Sequence, residues 1–178
     1  MKDRVEIVAS GFGGQGVVRL GQVIGEAAVK EGLRVTMLKS HGTEMRGGYV
    51  RSQVVISKNA IDSPMCESPD LFVALSMSAY NRFKNTVPED GMILYDPAFV
   101  ETIDESLLCK NKEFPAKQIA IDNFNKVIFS NTVAIGAMAK ILSEGIKKEN
   151  ILNSILEIIP KFHEENIKAF ELGYDYLS

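Results

Sequence analysis

The string Gly-Phe-Gly-Gly-Gln-Gly at residues 11–16, set between a β-branched run and a helical repeat, constrains this chain more than any other feature. Upstream, Val5, Ile7, Val8 and Ala9 stop at Ser10-Gly11, the pattern of a short buried strand. Downstream, Val17, Leu20, Val23, Ile24, Ala27 and Ala28 recur at three- and four-residue spacing, and Gly32 follows at a C′ position, so one amphipathic helix is predicted. Leu33–Leu38 reads as a second strand. The chain therefore opens with a Rossmann-like βαβ unit whose two strands are expected to run parallel with a right-handed connection. Gly11, Gly13, Gly14 and Gly16 permit positive φ and close backbone approach, and the first amides of the helix carry partial positive charge. Phosphate is the natural ligand of such a turn. The competing reading is a tight turn whose glycines only let helix and sheet pack, with Gln15 solvated; in the binding reading Gln15 hydrogen-bonds across the turn.

A Rossmann dinucleotide site also needs an acid roughly 20 residues beyond the glycines, at the end of the second strand. Here that strand ends Leu38-Lys39-Ser40, with Glu31 before it and Glu44 in the loop after it. This counts against NAD. Lys39 suits the 2′-phosphate of NADP, or is a solvated edge charge. The loop Ser40-His41-Gly42-Thr43-Glu44-Met45-Arg46-Gly47-Gly48 leaves from the carboxyl edge that carries the glycine turn, so the two loops are expected to be neighbours. Arg46 followed by Gly47 and Gly48 is a guanidinium on a backbone that permits close approach, suited to a carboxylate or phosphate. A salt bridge from Arg46 to Glu44 within a tight turn is the alternative. His41 alone carries little weight.

Farther on, Tyr49–Ile56 resumes strand character, with Val50, Ser52, Val54 and Ile56 alternating with Arg51, Gln53 and Val55 and suggesting one face more buried than the other. Leu71–Leu75 and Met92–Tyr95 read as buried strands, with a short helix at Ser78–Lys84 between them. A short helix or loop is expected near Glu101–Leu108 and one edge strand near Val127 or Glu113. Three helices close the chain, at Val133–Leu142 capped by Ser130 or Asn131, at Glu149–Ile159 stopped by Pro160, and at Glu164–Tyr174. The expected fold is α/β: a three-layer sandwich with a mostly parallel, mixed sheet and a helical C-terminal portion, one domain over 1–178.

With 46% hydrophobic and 24% charged residues the chain has ample core material. Lys plus Arg total 20 against 23 acids, so no global basic field attracts nucleic acid or an anionic membrane. Two cysteines, Cys66 and Cys109, with no CxxC pair cannot hold a zinc or iron-sulfur centre, and they read as free thiols in a reducing cytoplasm. The N-terminal run is too polar for a signal peptide, and no apolar window is long enough for a membrane span. No Ser/His/Asp order, paired carboxylates or cysteine nucleophile emerges; Ser130, Asp96 and Cys66 read as a cap, a strand-end turn residue and a loop thiol.

Three stretches, GFGGQGVVRLGQVIGEAA at 11–28, HGTEMRGGYVRSQVVIS at 41–57 and AIDSPMCESPDLFVAL at 60–75, resemble the gamma subunits of 2-oxoacid:ferredoxin oxidoreductases, which act on pyruvate and other ketoacids. They are most similar to the 2-oxoglutarate enzyme. GMILYDP at 91–97 and NTVAIGAM at 131–138 extend the resemblance over most of the chain. His41 stands where many relatives have an aromatic residue, and Tyr49 and Arg51 replace smaller ones. The resemblance implies a cytoplasmic complex that decarboxylates a 2-oxoacid on thiamine diphosphate, passes electrons through [4Fe-4S] clusters to ferredoxin and gives the acyl group to coenzyme A. The diphosphate, magnesium and clusters then belong to alpha-, beta- and delta-type partner subunits, and this chain itself holds none. The motif match places Gly11, Gly13, Gly14, Gln15, Gly16, Ser40, Glu44, Arg46, Gly47 and Gly48 at the active-site or coenzyme A entrance. Two other readings remain open: a free-standing NADP-binding reductase or regulatory domain, and a ligand-free assembly scaffold. Without partners, uncovered apolar surface favours self-association of the chain.

Overall fold

The computed structural model describes residues 2–41 and 49–177. A strand β1 (Arg4–Phe12) runs into the glycine turn, α1 (Val17–Lys30) returns across the sheet, and β2 (Arg34–His41) and β3 (Tyr49–Ser57) follow. Then come β4 (Leu71–Ala74), α2 (Met77–Phe83), β5 (Met92–Tyr95) and β6 (Lys110–Glu113). The helices α3 (Ala116–Phe124), α4 (Ser130–Ile141), α5 (Lys148–Ile158) and α6 (His163–Tyr176) complete the chain.

The strands lie in the order β2-β3-β1-β4-β5-β6. β1, β4, β5 and β6 pair in parallel, and β3 alone is antiparallel to both its neighbours. The first βαβ unit is thus present, with β1 and β2 running the same way, but β3 is inserted between them. One face of the sheet, presenting Val5, Ile7, Ala9, Val54, Ile56, Leu71, Val73 and Leu94, packs on α1 and the C-terminal helices. The other, presenting Val8, Phe72, Ala74, Ile93 and Tyr95, packs on α2 and on Val100 and Cys109. That makes three layers. In α1, Leu20, Val23, Ile24, Ala27 and Ala28 are all fully buried at the predicted spacing, each large aliphatic contributing about 1.5–3 kcal/mol.

β3 does not alternate as its sequence suggests: every residue from Ser52 to Ser57 is buried. One side of it is pressed by α1, where a Cβ on Gly21 would overlap Ser52 Oγ. The other is roofed by the segment 58–70, whose Cys66 amide donates to Gln53 Oε1 (3.3 Å) and whose Glu67 and Ser68 amides donate to the Glu6 carboxylate (2.8 and 3.0 Å). An interior strand covered on both faces has no solvent side to mark with polar residues.

In the C-terminal half two open alternatives are decided: Glu101–Leu108 is loop, and the edge strand forms at Lys110–Glu113 and not near Val127. The helix α3 was not anticipated. Ser130 and Asn131 do not cap α4; the helix starts at Ser130 as a continuation of a 3-10 turn at Val127–Phe129, with no side-chain cap. The α4–α6 crossing is closed by Gly136 and Gly173, where a Cβ on either residue would overlap backbone of the other helix.

Glu31, just past α1, caps α5 across the interface: its Oε1 accepts from the Lys147 amide (2.7 Å) and from Asn150 Nδ2 (2.8 Å). These bonds, the amide first, hold its carboxyl below the usual glutamate range against burial. Glu31→Gln should cost about 1 kcal/mol at neutral pH. A depressed folded-state value means the stabilisation is present above the unfolded titration range and disappears as pH falls through the folded one. The wild-type advantage over Glu31→Gln in urea melts should therefore vanish on acidification; a difference that persists in acid would exclude the carboxylate as its source.

Candidate functional site

The glycine turn stands at the carboxyl ends of β1 and β4, and its glycines are there for different reasons. Gly14 and Gly16 have φ of 88° and 73°, where an L side chain is strained. Gly11 has no room, since a Cβ would overlap Gln15 Oε1 and come within 2.8 Å of Leu75 Cβ, and Gly16 is also backed by the Asn131 amide. Gly13 differs: it has no positive φ, and a Cβ there would meet nothing within 4 Å. The fold does not require glycine at that position.

Gln15 bridges the turn. Its Oε1 accepts from the Phe12 amide (2.6 Å) and its Nε2 donates to the Leu75 carbonyl (2.8 Å). Both ends of one side-chain amide thus tie the turn to itself and to the end of β4, as the hydrogen-bonding reading of Gln15 requires.

Two depressions flank the turn and share Gly14, Ile128 and Asn131. The inner cleft, about 170 Å³, lies against Gln15, Leu75, Asp96 and Phe99. The outer groove, about 540 Å³, is bordered by Phe12, Gly13, Val17, Arg19 and Gln22. Their electrostatics differ. Asp96 is 2% exposed and accepts from the amides of Ala98 (2.9 Å) and Lys117 (2.8 Å); burial nevertheless pushes its carboxyl above the ordinary aspartate range. The groove instead faces the start of α1, which has no acidic residue in its first turn, no side-chain cap, and Arg19. An anionic group is favoured in the groove and disfavoured against Asp96.

The stems of the second loop meet this turn directly, Phe12 pairing with Tyr49 and Gly11 with Val50, and Ser10 Oγ donating to the Val50 carbonyl (3.1 Å). Gly42, Thr43, Glu44, Met45, Arg46, Gly47 and Gly48 lie outside the described residues. Ser40 is paired with Arg51 on the far side of β3 from the glycine turn. The insertion of β3 also places Lys39 beyond a strand from β1, away from where the adjacent strand of a dinucleotide site would offer a ribose-phosphate partner. Sequence reasoning missed Arg19, Ile128 and the Leu75 carbonyl, and it took Asn131 for a cap; the NTVAIGAM segment was the available signal for the last.

Cys66, with Sγ 3.7 and 3.6 Å from the Ile7 and Val54 carbonyls, is pushed up to about 12 by burial, so it is a thiol and not a nucleophile at neutral pH. Cys109 is buried, also with a raised titration range. Among the described residues no three His, Cys, Asp or Glu side chains cluster as a metal set. No helix among them is long and apolar enough to cross a membrane.

The model of the pyruvate ferredoxin/flavodoxin oxidoreductase family matches residues 6–176. The chain belongs to that family. It is 36% identical to the 2-oxoglutarate synthase subunit KorC of Methanocaldococcus jannaschii, over 98% of this chain and 95% of that protein. The gamma subunit of a keto/oxoacid ferredoxin oxidoreductase from Geobacter sulfurreducens superposes with a TM-score of 0.82 at 31% identity, covering 96% of each chain. A chain of 2-oxoglutarate:ferredoxin oxidoreductase from Magnetococcus marinus, solved with 2-oxoglutarate, coenzyme A and succinyl-CoA, shares the fold (TM-score 0.86, 23% identity). It contains this whole domain as 32% of its length. The α/β architecture with a mostly parallel mixed sheet is therefore that of the oxoacid oxidoreductase gamma subunits, and the resemblance carried by GFGGQG and its companion segments holds over nearly the full chain.

Proposed function

We propose that this chain is the gamma subunit of a 2-oxoacid:ferredoxin oxidoreductase that converts 2-oxoglutarate and coenzyme A to succinyl-CoA and carbon dioxide, with ferredoxin taking the electrons. The observation that carries the reading is the 36% identity to a 2-oxoglutarate synthase subunit over 98% of this chain and 95% of the relative. In this reading thiamine diphosphate, magnesium and [4Fe-4S] clusters reside on alpha-, beta- and delta-type subunits in the cytoplasm. This chain contributes the wall that packs on the thiamine-binding subunits beside the coenzyme A entrance. Phe12 and Ile128 are 41 and 60% exposed beside the glycine turn, and Phe162, 45% exposed, borders an adjoining pocket with Ile128 and Arg19, an apolar rim suited to a partner subunit.

The groove beside Gly13 is the proposed seat of a coenzyme A phosphate: the first amides of α1 and Arg19 are the donors, and Gly11, Gly14, Gln15 and Gly16 hold the backbone that presents them. Arg46, Glu44, Gly47 and Gly48 are assigned to the same function in this reading by the motif match alone. The test is reconstitution with the partner chains and assay of 2-oxoglutarate-dependent ferredoxin reduction. Gly13→Val should leave the thermal midpoint of the chain unchanged but raise the Michaelis constant for coenzyme A about tenfold, roughly 1.4 kcal/mol. Arg46→Ala should act in the same direction. If both variants assemble and bind coenzyme A as the wild type does, the turn is a packing device and the chain a ligand-free scaffold.

A further inference from the structure

The connection between α5 and α6 keeps a costly backbone conformation beside the glycine groove. Among the described residues only two non-glycine residues have positive φ, Asn125 (52°) and Phe162 (60°). Asparagine tolerates the left-handed region, whereas a bulky aromatic residue enters it under strain. At Phe162 the strain is imposed from the core. The Asn166 side chain, 3% exposed, donates to the Lys161 and Phe162 carbonyls (3.0 and 2.8 Å), and its Oδ1 accepts from Thr132 Oγ1 (2.7 Å). None of these bonds uses the phenyl ring, and glycine takes the same conformation freely. A large side chain kept where glycine is easier, and left 45% exposed, points to a use for the ring outside the fold.

Phe162 borders a pocket of about 350 Å³. Ile128, Ile159 and Pro160 supply apolar wall, and Arg19 and Lys161, both exposed, supply positive charge. Lys126 Nζ lies 5.2 Å from the centre of the Phe162 ring and adds to that charge. Among the described residues no acid borders the pocket. Arg19, Ile128 and Asn131 also border the groove beside Gly13, so pocket and groove adjoin along these three residues. A cationic, apolar and aromatic pocket thus continues from the end of the groove where an anionic group is favoured.

We propose that this pocket takes the planar base of a nucleotide whose phosphate lies in the groove, with Phe162 as the ring against which the base rests. The proposal rests on the reading of the groove as a phosphate seat, and under that reading the base is the adenine of coenzyme A. Groove and pocket together ask for a ligand that is anionic at one end and flat at the other, which fits a nucleotide and neither a free inorganic anion nor a small 2-oxoacid. Contact between a base and an aromatic side chain, with cations beside it, supplies affinity without a set of directed hydrogen bonds. Arg19, common to both depressions, serves the phosphate and the base alike.

The test is calorimetric titration of the full-length chain, and of the complex reconstituted with partner chains, with adenosine 3′,5′-bisphosphate and with inorganic pyrophosphate, which carries phosphates without a base. The expected result is that Phe162→Gly weakens the nucleotide about tenfold and leaves pyrophosphate unchanged, while Phe162→Trp keeps the nucleotide affinity. The thermal midpoint of Phe162→Gly should not fall, because glycine releases the backbone strain. The competing role for the ring is to cover Phe129, whose ring centre is 6.0 Å away. A ring serving only that contact gives a lowered midpoint with nucleotide affinity unchanged, and this result overturns the proposal. So does an equal loss of both probes in Phe162→Gly; in either case pyrophosphate binding by the wild type leaves the phosphate reading of the groove standing. If neither probe binds the wild-type chain or complex, the groove holds no phosphate and both readings fall.

Discussion

Gly173→Leu is expected to lower the thermal midpoint by about 6–12 °C, the equivalent of about 3 kcal/mol for a domain of this length. A Cβ at Gly173 would overlap the Val133 carbonyl of α4, and one at Gly136 would overlap the Phe170 carbonyl of α6. The obstructing atoms are backbone, which cannot rotate aside as a side chain can. The helices must therefore separate, and Phe170, Val133 and Ala137, all fully buried, lose packing together. Calorimetric melting decides the matter, with Gly13→Ala as a glycine whose replacement should be silent. A Gly173→Leu midpoint equal to that of the wild type would mean the crossing relaxes at little cost.

Asp96→Ala should cost about 2–3 kcal/mol, because it strands two buried amides, Ala98 and Lys117, and uncaps α3 from a strand away. Equilibrium urea denaturation reads the loss. Its pH dependence runs opposite to that of Glu31. Burial raises the folded-state titration of Asp96 above the unfolded value, so on this group's account stability is full below the unfolded range and falls as pH rises through the folded one. Wild type should thus gain on Asp96→Ala as the solution is acidified, and a gap that narrows in acid would contradict the assigned burial.

The first half of the chain was the more legible because its signals are local. Val17 to Ala28 carry a complete helical repeat, Gly32 ends it with φ of 79°, and Met92–Tyr95 is a strand with the bounds its sequence suggests. What stayed hidden depends on residues distant in the chain. The cap of α3 is Asp96, 21 positions before Lys117, so no motif near Ala116 announces a helix. The strand order is equally silent: nothing in Leu33–Leu38 says that β3 will come between it and β1, because an antiparallel return and a parallel neighbour bury the same residue types. The glycine turn was recognisable, and so was Gln15 as a bridge within it. Its flanking groove was not, since Arg19 and Ile128 are brought together only by the docking of the chain before α4 against α1.

The place of β3 has a consequence for how such proteins diversify. Because β3 pairs with β1 residue for residue from Arg4 opposite Ser57 to Phe12 opposite Tyr49, the hairpin ending at Tyr49 is locked to the glycine turn by a full ladder. Substitutions between His41 and Tyr49 can then be accepted without shifting the glycine turn, since the ladder that joins Tyr49 to Phe12 is backbone that side-chain identity does not set. One rigid mount thereby serves interchangeable tips. Under the proposed function, ligand preference can then change through that loop while the mount remains as it is.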